Sequence, residues 1–243
     1  MKIKIILFLF FQLIFFNTIL LSDEVDIISD NIKILENGNV IQSIQTNAII
    51  KKKGLNIKGD YSVYNKETEI IKFEKNVLFN DRTKNIKIET ENAKYNQRLD
   101  TLETIGETNI EIENKYVIIS SNMFYDRKSQ KIFSKSETTI KDISGNIYNL
   151  ENSFQFDLNK EIITTEKTNI IDTDNNIYIF EKAKINLVSK EILGKELKLD
   201  FNDNYFGIPN NDPILKGRSA VSNNEETKIY KTVFSTCNTT NKS

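Results

Sequence analysis

Few of the side chains that usually carry out chemistry occur in this chain of 243 residues. It contains no histidine and a single cysteine, Cys237. Histidine is the commonest general base and metal ligand, so Cys-His nucleophile pairs, zinc sites and internal disulfides are excluded. Carboxylates or a Ser-Lys pair remain as candidate catalytic groups, but no pair stands out from the charged residues spread along the chain. The sequence therefore predicts a protein that is not an enzyme and holds no metal or cofactor.

The charge balance gives no sign of a nucleic-acid partner. The chain has 33 basic and 34 acidic residues, for a net charge of -1, and such a balance produces no long-range field. The basic run 51–53 has two interpretations: a solvated loop, which we favour, or a site that attracts lipid phosphates. Apolar residues make up 39% of the chain, enough for a folded core.

The first 22 residues have the composition of a targeting segment. Lys2 and Lys4 precede the apolar run 5–21, and Ser22 is a small residue suited to a cleavage point. We predict a signal peptide over residues 1–22; an uncleaved membrane anchor is the alternative. Either one places the remaining chain outside the cytoplasm.

A repeat of about 30 residues organises the mature chain. An apolar or aromatic residue followed by Asn or Asp recurs at intervals of 31, 30, 31 and 29 residues: Tyr64-Asn65, Tyr95-Asn96, Tyr125-Asp126, Phe156-Asp157 and Ile185-Asn186. A second marker keeps nearly the same period: Asn76-Val77, Asn109-Ile110, Thr139-Ile140 and Asn169-Ile170. We interpret the first marker as turn chemistry, since Asn and Asp favour tight turns.

Between these markers apolar and polar residues alternate, which is typical of half-buried antiparallel strands. One parity is shared by Leu55, Ile57, Gly59, Tyr61 and Val63, which puts Ser62 on the opposite face. Changes of parity near 93–95 and 180–183 predict bulges. Each repeat is then a two-stranded hairpin, and the hairpins must stack to bury their apolar faces. The predicted fold is all-β, an elongated antiparallel jelly roll over residues 23–206, with a closing hairpin and tail over 207–243.

The whole mature chain resembles the LptD/OstA-like family of lipopolysaccharide-assembly proteins. The resemblance rests on the leader, the hairpin repeat and the closing segment Leu215-Lys216-Gly217-Arg218-Ser219-Ala220, followed by Lys231-Thr232-Val233-Phe234-Ser235-Thr236-Cys237. The closing segment is similar to the end of the family's periplasmic domain. No barrel sequence follows Cys237, so a truncated or split LptD and a stand-alone relative both stay open.

The resemblance implies a V-shaped, LptA-like jelly roll that carries the acyl chains of lipid A in an apolar groove across the periplasm to the outer membrane. Its partners would be lipopolysaccharide, other Lpt jelly rolls that add at the sheet edges, and an outer-membrane barrel. Cys237 would form a disulfide with a separate chain. An LptA- or LptC-like bridge and a structural β-solenoid without lipid are the alternatives. The groove candidates are Ile57, Tyr61, Val63, Phe73, Phe79, Ile112, Ile118, Phe124 and Phe154.

Overall fold

The computed structural model describes residues 24–202, 213–222 and 226–235, and these residues form one antiparallel sheet of 20 strands. The first strands are β1 Asp26–Ile28, β2 Asn31–Leu35, β3 Val40–Ile50, β4 Leu55–Asn65, β5 Ile70–Asp81, β6 Ile86–Asn96 and β7 Thr101–Ile112. Short strands follow: β8 Tyr116–Ser121, β9 Phe124–Asp126, β10 Lys131–Ser134, β11 Thr138–Asp142, β12 Ile147–Leu150, β13 Phe154–Asp157, β14 Ile162–Thr165, β15 Thr168–Ile171, β16 Ile177–Phe180 and β17 Lys182–Asn186. The last are β18 Glu191–Asp200, β19 Ile214–Ser222 and β20 Thr227–Ser235. Two short 3-10 turns are Glu36–Gly38 and Lys51–Lys53. The predicted all-β fold of antiparallel hairpins is confirmed.

The paired strands form two series that run side by side along the protein, and we call them ladder A and ladder B. Within each ladder neighbouring strands are antiparallel. In the middle of the chain ladder A runs β7, β8, β11, β12, β15, β16, β18, and ladder B runs β7, β9, β10, β13, β14, β17, β18. The long strands β3 to β7 and β18 to β20 pass through both ladders, one half in each. About a dozen strand spacings of about 4.8 Å make each ladder roughly 60 Å long.

The long strands bend where they cross from one ladder to the other. Left-handed backbone recurs at this line, for example at Gln45 (φ 51°), Lys75 (φ 61°) and Gly106 (φ 91°). The pairing register of β4 with β5 shifts between Lys58 and Tyr61, and similar shifts occur in the next two pairs. Such a shift marks a β-bulge, in which one strand of a pair has an extra residue and bends. A line of bulges across neighbouring strands therefore folds the sheet onto itself.

The fold brings the inner faces of the two ladders into contact. Phe79 of ladder A lies 6.1 Å from Tyr95 and 6.4 Å from Tyr125 of ladder B, measured between ring centroids. Further along, Tyr116 of ladder A meets Phe156 of ladder B edge to face at 5.5 Å. Edge-to-face and tilted aromatic pairs add to the free energy gained by burying apolar area. One apolar core therefore runs along the inside of the roll.

The Asn or Asp of each 30-residue marker caps a turn at the end of the ladder B strands that lies away from the bend, as predicted. Each side-chain oxygen accepts a hydrogen bond from a backbone N–H two or three residues later: Asn65 from Thr68, Asn96 from Leu99, Asp126 from Lys128 and Ser129, Asp157 from Lys160, and Asn186 from Val188 and Ser189. The residue before each cap points inward and is buried. The turn fixes the direction of the chain and the buried neighbour anchors the turn to the core.

The closing hairpin is present as β19 and β20, and it continues both ladders beyond β18. Gly217 of the closing segment is required by packing, since a Cβ there would lie 2.1 Å from Cγ2 of Ile229. The predicted signal peptide and Cys237 fall outside the described residues. The proposed disulfide and the proposed leader therefore stay predictions.

Replacing Gly194 with alanine should destabilise the roll. A Cβ at this position would lie 2.2 Å from the Phe180 ring, which is 1% exposed and belongs to the opposite ladder. We expect Gly194→Ala to lower the free energy of unfolding by about 1–3 kcal/mol, the usual cost of overpacking, in urea denaturation. Gly59→Ala is the control, because its Cβ would meet Phe73 at 3.3 Å, and it should cost clearly less. Equal losses for the two variants would contradict this packing argument.

Candidate functional site

The two long sides of the roll are closed in different ways. On one side the chain itself crosses between the ladders, at the bends of the long strands and in the short links between strands such as β8 and β9. On the other side the turns of ladder A meet the turns of ladder B, and we call this line of contact the seam. Among the described residues no backbone–backbone hydrogen bond crosses the seam. Side chains close it.

A buried charge cluster forms the first closure of the seam. Arg127, in a ladder B turn, donates from Nε to Asp81 Oδ2 at 2.6 Å and from Nη1 to both carboxylate oxygens of Asp100 at 2.7 and 2.8 Å. Its Nη2 donates to the Lys53 carbonyl at 3.1 Å, and Lys53 Nζ donates to the Gln97 carbonyl at 2.6 Å. Asp81 and Lys53 belong to ladder A turns. The side chains of Asp81 and Arg127 are 0% and 5% exposed, so this closure is shielded from water.

Two further closures follow along the seam. Glu161 of ladder B accepts hydrogen bonds from Lys115 Nζ at 3.2 Å and from the Tyr116 hydroxyl, both in ladder A. Lys190 of ladder B donates to Asp142 Oδ2 of ladder A at 3.2 Å. Opposite charges thus join the ladders at intervals along this part of the roll.

The carboxylate of Asp142 is held in place by its own turn. Asn146 donates to it from the backbone at 2.9 Å and from the side chain at 2.8 Å, and the Tyr148 hydroxyl donates at 3.0 Å. The same set of contacts recurs 30 residues later at Asp172, Asn176 and Tyr178. This Asp-x3-Asn-x-Tyr repeat positions carboxylates along the ladder A side of the seam.

The pKa values of the seam groups follow from these contacts. Burial alone would raise the pKa of Asp100, but hydrogen bonds from Tyr95 and Arg127 outweigh it and lower that pKa. Burial would also raise the pKa values of Asp142 and Glu161, but the hydrogen bonds that these carboxylates accept outweigh burial and lower both values. Burial would lower the pKa of Arg127, yet its hydrogen bonds to Asp81 and Asp100 raise it. All four groups stay charged near neutral pH, and the seam is held by ion pairs.

A pocket of about 240 Å³ opens into the seam beside the Glu161 closure. Its rim is polar and its wall includes the apolar core residues Ile86, Ile112 and Phe156. These three side chains are 3%, 5% and 0% exposed, so the pocket reaches the core without exposing it widely. At this pocket the polar rim of the seam and the apolar interior meet.

The structure separates the predicted groove residues into two groups. Six of them point into the core and are 0–5% exposed: Ile57, Phe73, Phe79, Ile112, Ile118 and Phe154. Ile112 also lines the seam pocket and Phe154 borders a trough on the outer face, but all six side chains belong to the buried core. Their contact with lipid stays a proposal.

The other three, Tyr61, Val63 and Phe124, lie on the outer face, so their assignment to the inside of the roll is wrong. The bulge after Lys58 reverses the parity of β4, and Ser62 is the residue that points inward, 0% exposed. Phe124 instead stacks on Phe133 on the outer face, with ring centroids 4.7 Å apart. A single parity does not hold across residues 55–63, because the strand bends between Gly59 and Ser62.

The seam residues were not found from the sequence, although a signal for them exists. Arg127 and Asp81 are 46 residues apart, as are Lys115 and Glu161, and Lys190 and Asp142 are 48 apart. Each separation is about one and a half repeats, because a ladder A turn meets a ladder B turn that lies further along the chain. Opposite charges at that spacing would have indicated the contacts.

The described residues therefore define an antiparallel all-β jelly roll with an apolar interior and a seam closed by ion pairs. Within them, no helix has the length and apolar character needed to span a bilayer. No cluster of three or more potential metal ligands occurs in the same residues.

Comparison with protein-family models gives no match, and comparison with curated proteins gives none either. Among solved structures, the chain is similar to LptH, the LptA-homologous periplasmic component of the lipopolysaccharide transport device of Pseudomonas aeruginosa, with 12% identity and a TM-score of 0.41 over 46% of this chain and 83% of that one. It is also similar to the TCP10 domain of Danio rerio CPAP, solved with a peptide of Danio rerio STIL, with 10% identity and a TM-score of 0.18 over 86% of this chain and 99% of that one. Both TM-scores are too low to support an argument about function.

Removing the charge of Arg127 should open the first closure and destabilise the roll. Arg127→Leu removes the guanidinium partner of the buried Asp81 and of Asp100, and breaking a buried ion pair costs about 3–5 kcal/mol. We expect a loss of this size in the free energy of unfolding, measured in urea. The control is Arg98→Leu, since Arg98 also lies in a ladder B turn but its side chain is 64% exposed. That variant should change stability by less than about 0.5 kcal/mol. A similarly small effect of Arg127→Leu would show that the cluster does not hold the seam.

The seam should also make the roll labile to acid. The lowered pKa values of Asp100, Asp142 and Glu161 mean that folding favours their charged forms. Their contribution is present above the unfolded-state pKa values of about 4 and is lost as pH falls through the lower folded-state values. The thermal midpoint should therefore drop between pH 5 and pH 2.

A variant with Asp142→Asn and Glu161→Gln should show a weaker dependence on pH over that range. Glu103→Gln removes a partly exposed carboxylate on the outer face, where it pairs with Lys94, and serves as the control. An unchanged pH dependence in the double variant would contradict the role given to the seam carboxylates.

Proposed function

We propose that this protein is a non-enzymatic lipopolysaccharide-transport module, which carries acyl chains of lipid A in its apolar interior from the periplasm towards the outer membrane. The observation that carries the proposal is the asymmetry of closure: covalent links hold one side of the roll, and side chains alone hold the other. The two ladders can separate along the seam while every strand keeps its pairing within its own ladder. Opening would turn the closed core into the V-shaped groove that the family resemblance implies.

The energetics favour such an exchange. Opening the seam lets a partly exposed pair such as Lys115 with Glu161 return to water, and pairs of this kind contribute little to stability. Each methylene of an acyl chain that leaves water contributes about 0.8 kcal/mol, so one chain of a dozen carbons supplies roughly 10 kcal/mol. The sugars and phosphates of the lipid would stay in solvent beside the seam. The Arg127 cluster is the costliest closure to open and therefore the natural limit of the opening.

The ends of the roll suit addition of further jelly rolls. Ile32 and Ile34 of β2 share the inward face with Ser43 and Ile41, yet they are 47% and 64% exposed. At the other end Phe234 of β20 faces inward opposite Leu215 and is 56% exposed. Within the described residues β2 pairs only with β3 and β20 only with β19, and such edges accept an added strand. At each end an unpaired strand edge lies beside exposed inward-facing apolar side chains, so a neighbour could extend both the sheet and the apolar interior. This supports contact with other Lpt jelly rolls, with an outer-membrane barrel as a further partner of the closing hairpin.

Two alternatives have observations of their own. The exposed inward side chains at both ends favour an LptA- or LptC-like bridge, which must continue its groove into two neighbours. The closed and filled interior favours a structural β-solenoid without a lipid ligand. The leader supports a periplasmic or outer-membrane location for all three.

Photo-crosslinking from matched aromatic positions distinguishes carriage from a structural role. A photoreactive phenylalanine analogue replaces Phe79 or Phe156 inside the roll, or Tyr61 or Phe124 on its outer face. We expect lipopolysaccharide adducts from the two interior positions at least tenfold above those from the two outer positions. The adducts are measured on purified protein after irradiation in cells.

Adducts that are absent from both interior positions would reject carriage and leave the structural reading. Equal labelling of interior and outer positions would indicate surface adsorption and would also reject the groove. Circular dichroism on each substituted protein checks that the β-fold is retained, since Phe79 and Phe156 are fully buried.

A further inference from the structure

An apolar trough crosses the outer face of ladder B, away from the interior and the seam. It has a volume of about 820 Å³ and runs over β10, β13, β14, β17, β18 and β19 close to the bend. Two rows of outward-facing side chains form its walls, and the backbone of the row between them forms its floor. The first wall contains Phe133, Gln155, Thr164, Lys184, Leu193 and Val221, which are cross-strand neighbours in that order. The second contains Lys135, Ser153, Glu166, Lys182, Lys195 and Ser219.

The dimensions of the trough suit one extended chain. Six neighbouring strands about 4.8 Å apart make it roughly 24 Å long. The two walls are two residues apart along each strand, which gives a width of about 7 Å. The volume lies within the usual range for ligand pockets, roughly 300 to 1,000 Å³.

The walls differ in polarity. Phe133, Leu193 and Val221 give the first wall its apolar character, and Phe133 and Leu193 are 40% and 43% exposed. The whole trough contains four lysines and one acidic residue, Glu166. A ligand that fits must therefore combine an apolar body with negative charge.

The lysines concentrate on two adjacent strands. Lys182 of β17 and Lys195 of β18 are directly opposite each other, and Lys184 lies two residues from Lys182. Like charges in this position destabilise a sheet. Lys182 lies 3.7 Å from Glu166, a long and exposed contact, and neither Lys184 nor Lys195 makes an ion pair with a described residue. One anionic group between Lys182 and Lys195 would relieve this repulsion.

We propose that the trough binds a single-chain carboxylate amphiphile, that is, a fatty acid. The carboxylate lies between Lys182 and Lys195, and the alkyl chain runs over β14 and β13, past Thr164 and Gln155, to the Phe133 ring on β10. Three strand spacings give about 14 Å for the chain. An extended chain of about twelve carbons, with C–C bonds near 1.5 Å, has about this length.

The clustering of the cations favours this ligand over an acidic peptide. A peptide strand would carry charges along its length, whereas three of the four lysines here lie on the two adjacent strands β17 and β18. The site is on the outer face and holds one chain, so it goes beyond carriage of lipid A inside the roll and does not require the seam to open.

Calorimetric titration of the full chain with dodecanoate tests the site. We expect one molecule bound per chain, and we expect Lys182→Glu with Lys195→Glu to weaken binding at least tenfold. The matched control is Lys72→Glu with Lys94→Glu, another directly opposed lysine pair on the outer face of ladder B that lies outside the trough. It should leave the affinity within twofold. Thr164→Trp fills the middle of the trough from an exposed position and should abolish binding.

Dodecyltrimethylammonium, which has the same chain and the opposite charge, should not bind at this site, and acetate should bind too weakly to detect. Saturating dodecanoate should raise the thermal midpoint of the natural chain and not that of the Lys182→Glu, Lys195→Glu variant. The proposal is overturned if dodecanoate does not bind, if both lysine pairs have equal effects, if the cationic amphiphile binds equally well, or if a peptide of alternating Glu and Leu displaces dodecanoate at lower concentration. Interior photo-crosslinks that persist in Thr164→Trp would show that the two sites are separate.

Discussion

The bend in the middle of every long strand is the constraint on which the rest of the structure depends. A sheet of this length cannot bury an apolar face by itself, and the chain solves the problem by folding each strand onto its own continuation. The fold requires left-handed backbone at residues such as Gln45, Lys75 and Gly106, which costs free energy at the non-glycine positions. Contacts like those of Phe79 with Tyr95 and Tyr125 across the interior offset that cost. Without the bend there would be neither an interior nor a seam.

The bend also explains why the two long sides of the roll, the bend side and the seam side, differ chemically. Near the bend, hydroxyl groups fill the narrow inner angle, as in the contacts of Ser43 with Thr46 and Ser62 at 2.9 and 2.8 Å. These groups are small and find partners locally, so they let the ladders approach closely. At the seam the turns are further from the bend and carry long charged side chains that must reach across. One side is therefore fixed by the backbone, and the other is held by interactions that respond to pH, salt and ligands.

Much of the fold could be predicted from the sequence, because its strongest signals are local. Tyr95-Asn96 and its equivalents combine an inward anchor with a turn cap, and both roles depend on neighbouring residues. The orientation of Tyr61 and Val63 could not be predicted from alternation, because the bend in β4 changes the inward positions from odd-numbered to even-numbered residues. The Arg127 cluster joins residues 46 and 27 positions apart. Such contacts depend on how far one ladder is displaced along the other, which no short pattern encodes.

The most regular sequence features, the 30-residue marker and the closing segment, say little about function because the fold itself requires them. The 30-residue marker is turn and core chemistry, and Gly217 of the closing segment is explained by its contact with Ile229 in the partner strand of the same hairpin. Any jelly roll built from bent hairpins needs these residues, whatever it carries. Features that the fold does not need are more informative: inward apolar side chains left exposed at both ends, and lysines placed opposite each other beside the trough. The exposed apolar side chains cost solubility in an isolated chain and the opposed lysines cost stability, and a bound neighbour or a bound anion would remove these costs.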